Sequence, residues 1–198
     1  MTIISPEILT RRDLPGLCAA RGLLGVAVEI GTCTGDYADE FLSRWPGRML
    51  ICVDPYGPYG LDPYDREADR LSAIARLSRH GIRCRMIREP DTDDLADRIV
   101  RCPGRPDLVF VDGDHDYEAC GRDLKIWWRR LTPQGILAGH DYCEKLPGVI
   151  QAVDEFVAAH GLTLYLSHDL EYQTWYVYRD RATEPFRKCR SWEAVHGR

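Results

Sequence analysis

The chain has 198 residues, 44% of them hydrophobic and 29% charged, and carries a formal net charge of −5 at pH 7. That length suits one sizeable core rather than two domains, and the acidic balance argues against nucleic acid as a general partner. No stretch approaches the roughly 20 apolar residues of a membrane span, and Met1–Glu7 lacks the basic and apolar regions of a secretory signal. The expectation is a cytoplasmic protein with no membrane partner.

In chain order, residues 1–21 read as a helical lead-in. Five strand candidates follow: Val26–Ile30, Met49–Val53, Arg83–Ile87, Leu108–Val111 and Ile136–Ala138. Their continuous apolar runs suit strands covered on both faces. Helical periodicity lies between them, as in Leu124, Trp127, Trp128 and Leu131, or Val149, Val153, Phe156 and Val157. Leu162–Leu166 and Thr174–Tyr178 are both strand-like with no room for a helix between, which predicts a closing antiparallel hairpin. Residues 180–198 read as a loosely attached tail. Alternation of this kind predicts a doubly wound α/β sheet in a single domain.

Eight cysteines form no C-x-x-C pair, so a zinc knuckle or dithiol motif has no support. They read as reduced, buried small hydrophobes. Trp45, Trp175 and Trp192 are candidates for a homodimer interface or, equally, for core packing.

The chemistry gathers at strand ends. After the first long strand the chain reads Glu29-Ile30-Gly31-Thr32-Cys33-Thr34-Gly35-Asp36-Tyr37 and enters a helix. A strand, a glycine-punctuated turn and a helix start make a pocket at the carboxyl edge of the sheet, where open α/β folds bind ligands. Gly31 and Gly35 are four apart, which is not the G-x-G-x-x-G dinucleotide fingerprint. Glu29 would repel a pyrophosphate but suits a cationic, zwitterionic ligand such as S-adenosylmethionine. The next strand ends Val53-Asp54-Pro55, placing an acid where ribose hydroxyls can donate to it.

The fourth strand runs into Asp112-Gly113-Asp114-His115, and the fifth ends at His140-Asp141-Tyr142. Carboxylates with imidazole suit Mg²⁺ or Mn²⁺ and can take a proton from a hydroxyl. Helix capping by Asp114 and Asp116, with one structural histidine, is the plain alternative. A Gly/Pro-rich stretch, Tyr56-Gly57-Pro58-Tyr59-Gly60-Leu61-Asp62-Pro63-Tyr64, reads as a loop over the strand ends, with Tyr56, Tyr59 and Tyr64 suited either to a hydroxylated substrate or to packing.

These motifs resemble the class I S-adenosylmethionine-dependent methyltransferases, roughly over residues 24 to 178. The resemblance implies a Rossmann-like, doubly wound, seven-stranded sheet, mostly parallel with an antiparallel last strand. It also implies S-adenosylmethionine as cofactor, with Glu29, Gly31, Thr32, Cys33, Gly35, Tyr37, Asp54, Pro55 and Asp112–His115 around it. Cys33 stands where the usual family loop has glycine, a departure shared with sugar and natural-product O-methyltransferases. Magnesium-dependent members imply a cation on Asp112, His140 and Asp141, with His140 in place of their first acid. They also imply catalytic roles for Asp112 and for His140 or His115 as base, and a sugar or other hydroxylated acceptor. Alternatives are a metal-free N- or O-methyltransferase with a histidine base, and a non-catalytic nucleotide-binding module.

Overall fold

The structure, a computed structural model, describes residues 1–57 and 66–179. Its strands are β1 (Thr2–Ile4), β2 (Val26–Ile30), β3 (Met49–Val53), β4 (Cys84–Ile87), β5 (Leu108–Val111), β6 (Ile136–Tyr142), β7 (Leu164–Leu166) and β8 (Gln173–Tyr178). The helices are α1 (Leu14–Ala20), α2 (Asp36–Arg44), α3 (Arg66–Leu77), α4 (Asp93–Arg101), α5 (Tyr117–Trp128) and α6 (Pro147–His160). All the strands join one sheet in the order β1-β7-β8-β6-β5-β2-β3-β4. β6, β5, β2, β3 and β4 run parallel, while β8 is antiparallel to both β6 and β7.

Every residue of β2 is buried, including Glu29, because both sheet faces are covered. Val26, Val28 and Ile30 face a core completed by α4, α5 and α6. Ala27 faces the other core, completed by α1, α2 and α3. This is the doubly wound, mostly parallel architecture that the sequence implies, with eight strands where seven were expected.

The extra strand corrects the helical lead-in. Thr2–Ile4 pairs in parallel with Leu164–Leu166, and helix begins only at a 3-10 turn over Arg11–Asp13 and at α1. β-branched Thr-Ile-Ile suits an extended edge, and β7 would otherwise expose its ladder there. The lead-in is held down by side chains as well. Ser5 Oγ and Tyr176 OH lie 2.7 Å apart, and the Tyr178 hydroxyl donates to Glu7.

The tryptophans and cysteines need similar corrections. Trp45 and Trp175 are each 1% exposed, so both pack in the core and neither can enrich an interface. Trp192 and the 180–198 tail lie outside the described residues. The described cysteines are all free, but Cys33 and Cys102 are exposed rather than buried. No helix among the described residues is long and apolar enough to cross a membrane.

Candidate active site

Strand order reverses at β2: β3 and β4 lie to one side, and β5 and β6 to the other. A crevice opens at the carboxyl ends of strands at such a switch point. Here it is a cavity of about 640 Å³, in the range of small-ligand pockets. Of the residues predicted from sequence, Gly31, Cys33, Asp54, Pro55, Asp112, Gly113, Asp114 and His115 line it.

The loop after β2 is held in an unusual shape. Gly31, Cys33 and Gly35 all have positive φ, at 86°, 49° and 77°. A Cβ on Gly31 would lie 2.0 Å from the carbonyl oxygen of Asp112. Gly31 therefore lets the exits of β2 and β5 pass each other, a packing need beyond ligand approach. Asp54 ties the loop to the end of β3. Its Oδ2 accepts from the Cys33 amide at 2.9 Å and its Oδ1 from the Tyr56 amide at 2.8 Å. Each carboxylate oxygen keeps a second lone pair for a ribose hydroxyl.

Tyr56 does not reach for an acceptor. It is 5% exposed, has φ of 47°, and its hydroxyl donates to the Cys33 carbonyl at 2.9 Å, bracing the loop. Tyr59 and Tyr64 lie outside the described residues.

Glu29, Thr32, Gly35 and Tyr37 stand behind the lining. Glu29 is 3% exposed, and its Oε2 and the Thr32 Oγ1 have no hydrogen-bond partner among the described residues. Burial pushes the Glu29 carboxyl up to about 8. A buried acid with one unpartnered oxygen beside this loop fits the ammonium of an amino-acid ligand, whose charge would draw the proton off it. Tyr37 is spent on packing: its ring centroid is 4.3 Å from that of Phe110, and its hydroxyl donates to the Arg11 carbonyl at 3.2 Å.

At the neighbouring strand ends, β6 bulges. Gly139 pairs with Trp175 and Tyr142 with Gln173, so His140 and Asp141 together oppose Thr174. Asp141 takes the left-handed conformation, φ 61°. That twist sets its carboxylate between two imidazoles. His115 Nε2 lies 2.7 Å from Oδ2, and His140 Nδ1 lies 2.9 Å from Oδ1. Burial alone would raise the Asp141 carboxyl, but these two contacts and their charge pull it well below its ordinary range. The Asp141 bond in turn raises His115. Asp112 is pushed up to about 6, chiefly by burial, with Asp141 adding to it and His140 opposing it.

Asp112, His115 and Asp141 each offer one donor atom, all within 4.8 Å of one another. His140 differs from expectation in standing behind Asp141, its ring stacked at 21° on Tyr172 with centroids 6.3 Å apart. The donor set that converges is thus Asp112, His115 and Asp141. Two hard carboxylates with one imidazole fit Mg²⁺ or Mn²⁺.

Four residues near the site escaped the sequence reading. Arg11, from the lead-in, places Nη1 3.5 Å from Asp112 Oδ2. Tyr172 backs His140. Asp91 and Asp123 also line the cavity. Asp91 is separated from the end of β4 by Arg88, Glu89 and Pro90, so it lacks the immediate strand-end position that marked Asp54. Asp123 shows only as a lone acid within the apolar stripe Cys120, Leu124, Trp127.

The family model described as "Methyltransferase domain" matches residues 28–142, more than half of the chain. The chain belongs to that family, and its architecture is that of the class I S-adenosylmethionine-dependent methyltransferases. Among curated proteins it is similar to protein R132 of Acanthamoeba polyphaga mimivirus, itself uncharacterized, at 26% identity over 134 residues. That match covers 66% of this chain and 58% of the relative, so the chain spans little more than half of that protein. Two solved structures share the fold. A protein from Klebsiella pneumoniae assigned as an O-methyltransferase has a TM-score of 0.62 at 17% identity, covering 86% of this chain and 79% of that one. The O-methyltransferase from Bacillus cereus in complex with S-adenosylhomocysteine has 0.59 at 13%, covering 88% and 84%.

Proposed function

We propose that this domain binds S-adenosylmethionine and transfers its methyl group to a hydroxyl of a sugar or other hydroxylated small molecule, assisted by Mg²⁺. The observation that carries the reading is the convergence of Asp112, His115 and Asp141, the first two of which line the cavity that Gly31 and Asp54 also line. Bound, the cofactor supplies an electrophilic methyl on sulfur. Glu29 would hold its ammonium, Asp54 its ribose hydroxyls, and Asp91 the exocyclic amine of its base. Asp112, His115 and Asp141 would hold the cation, which lowers the pKa of a coordinated hydroxyl. His140, bonded to the outer oxygen of Asp141, would keep that carboxylate oriented.

A second reading has its own observation. Arg11 already offers positive charge to Asp112, and the 2.7 Å contact of His115 with Asp141 is the geometry of a carboxylate-oriented base. In that version His115 removes the hydroxyl proton without metal. Transfer of labelled methyl to a panel of sugars and catechol-like acceptors, in metal-free and Mg²⁺-supplemented buffer, tests both. Activity restored only by Mg²⁺ supports the first version, and full activity in strong chelator the second. No transfer to any hydroxylated acceptor by a protein that binds the cofactor would overturn both.

A further inference from the structure

A second pair of carboxyls lines the same cavity, and one of them, Asp91, is assigned above to the cofactor's base. Asp91 follows β4, and Asp123 comes from the middle of α5. Asp123 is 2% exposed, and Oδ1 of each acid is buried without a hydrogen-bond partner. Trp127 Nε1 donates to the other oxygen of Asp91 at 2.9 Å. The two carboxyls themselves lie within hydrogen-bond reach of each other.

Two bare carboxylates at that distance repel, and neither Oδ1 accepts a hydrogen bond from another described residue. A buried pair of this kind keeps one proton between its members. The surrounding charges do not remove the need. Arg122 Nη2 is 3.4 Å from Asp123 Oδ1 at an angle that makes no hydrogen bond. Arg130 is engaged by Asp93 and Asp97, Asp114 adds negative charge, and Arg66 lines the cavity. Burial first, and then the charge of Asp91, push Asp123 up to about 8, while burial pushes Asp91 to about 6.

We propose that Asp123 is a positioning residue for cofactor binding, donating a shared proton to Asp91 and leaving Asp91 fixed as an acceptor for the base's amino group. The proposal rests on the cofactor reading of the cavity. Losing the shared proton sets two negative charges side by side, so Asp91 swings away and the base loses its acceptor. Binding of the adenosine half therefore weakens as pH rises through about 8.

The probe is 5′-methylthioadenosine, which lacks the amino-acid end and so does not sense Glu29. Its affinity is measured by calorimetry at pH 7 and pH 9 for wild type, Asp123→Asn and Asp123→Leu. S-adenosylhomocysteine at pH 7 serves as the check on the cavity. One linked proton with a midpoint near 8 predicts about a tenfold loss for wild type between the two pH values. The Asn amide donates to Asp91 at either pH, so Asp123→Asn should bind within about threefold of wild type at pH 7 and stay flat. Asp123→Leu should be weak at both, by about tenfold or more. Equal pH dependence in wild type and Asp123→Asn, or wild-type affinity in Asp123→Leu, overturns the proposal. Failure of wild type to bind S-adenosylhomocysteine at pH 7 overturns the cofactor reading itself.

Discussion

Asp141 shows how much a single side chain can be asked to do. It adopts a conformation that a non-glycine residue enters at a cost of about 1–3 kcal/mol, and in return it touches both candidate histidines. Only His115 of the two lines the cavity and joins the convergent donors. His115→Ala should therefore lose about 10²–10⁴-fold in kcat, and His140→Ala much less, measured by steady-state methyl transfer; the reverse ranking would move the chemistry to His140. Asp54 makes a simpler forecast. Removing its carboxylate takes away the loop tie and the ribose acceptor together. Asp54→Ala should weaken S-adenosylhomocysteine by about 1–3 kcal/mol in calorimetry, and unchanged affinity would remove Asp54 from the site.

At the scale of elements, the site depends on how closely the exits of β2, β5 and β6 approach one another. Gly31 is where β2 and β5 nearly touch, so Gly31→Ala adds strain from both the contact and the positive φ. The expected cost is about 2–4 kcal/mol in denaturant unfolding, with cofactor binding lost in parallel; wild-type stability would show that the two exits can part freely. The strands of the sheet's centre were legible because runs such as Val26–Ile30 and Leu108–Val111 are apolar throughout. β1 was not, since three β-branched residues ahead of a helix look the same whether or not a neighbouring edge waits for them. The acids and histidines were equally legible as types at strand ends. Their gathering at neighbouring strand ends was legible too, but not that His115 rather than His140 joins Asp112 and Asp141, because the bulge that separates the directions of His140 and Asp141 arises from pairing with β8, far along the chain. Asp123 was hidden for a related reason: only folding brings it against Asp91.

Across the whole molecule, the two cores hold a sheet whose ligand-binding side gathers four acids of raised proton affinity, Glu29, Asp91, Asp112 and Asp123, beside the lowered Asp141. At Glu29 and Asp112 a ligand that needs the anion must displace a proton, whereas the Asp91–Asp123 pair works with its shared proton in place. For the cation the sign is clear. Asp112 is protonated below about pH 6, and a protonated carboxyl ligates poorly. Under the Mg²⁺ reading, the concentration needed for half-maximal activation should climb as pH falls through that value. An activation constant that ignores pH between 5 and 7.5 would take Asp112 out of the cation site.

Cys33 has a practical consequence. Its backbone is pinned at both ends, by Asp54 at the amide and Tyr56 at the carbonyl, while its side chain is exposed and borders the cavity. Such a thiol is a built-in footprinting handle. Partial desolvation against the loop, with the charges of Asp69 and Asp54 nearby, holds it above its usual range, so alkylation by iodoacetamide should be slow near neutrality and quicken in mild alkali. Occupancy of the cavity should shield it, and peptide mapping of the carbamidomethylated loop would then read ligand binding with no acceptor and no turnover.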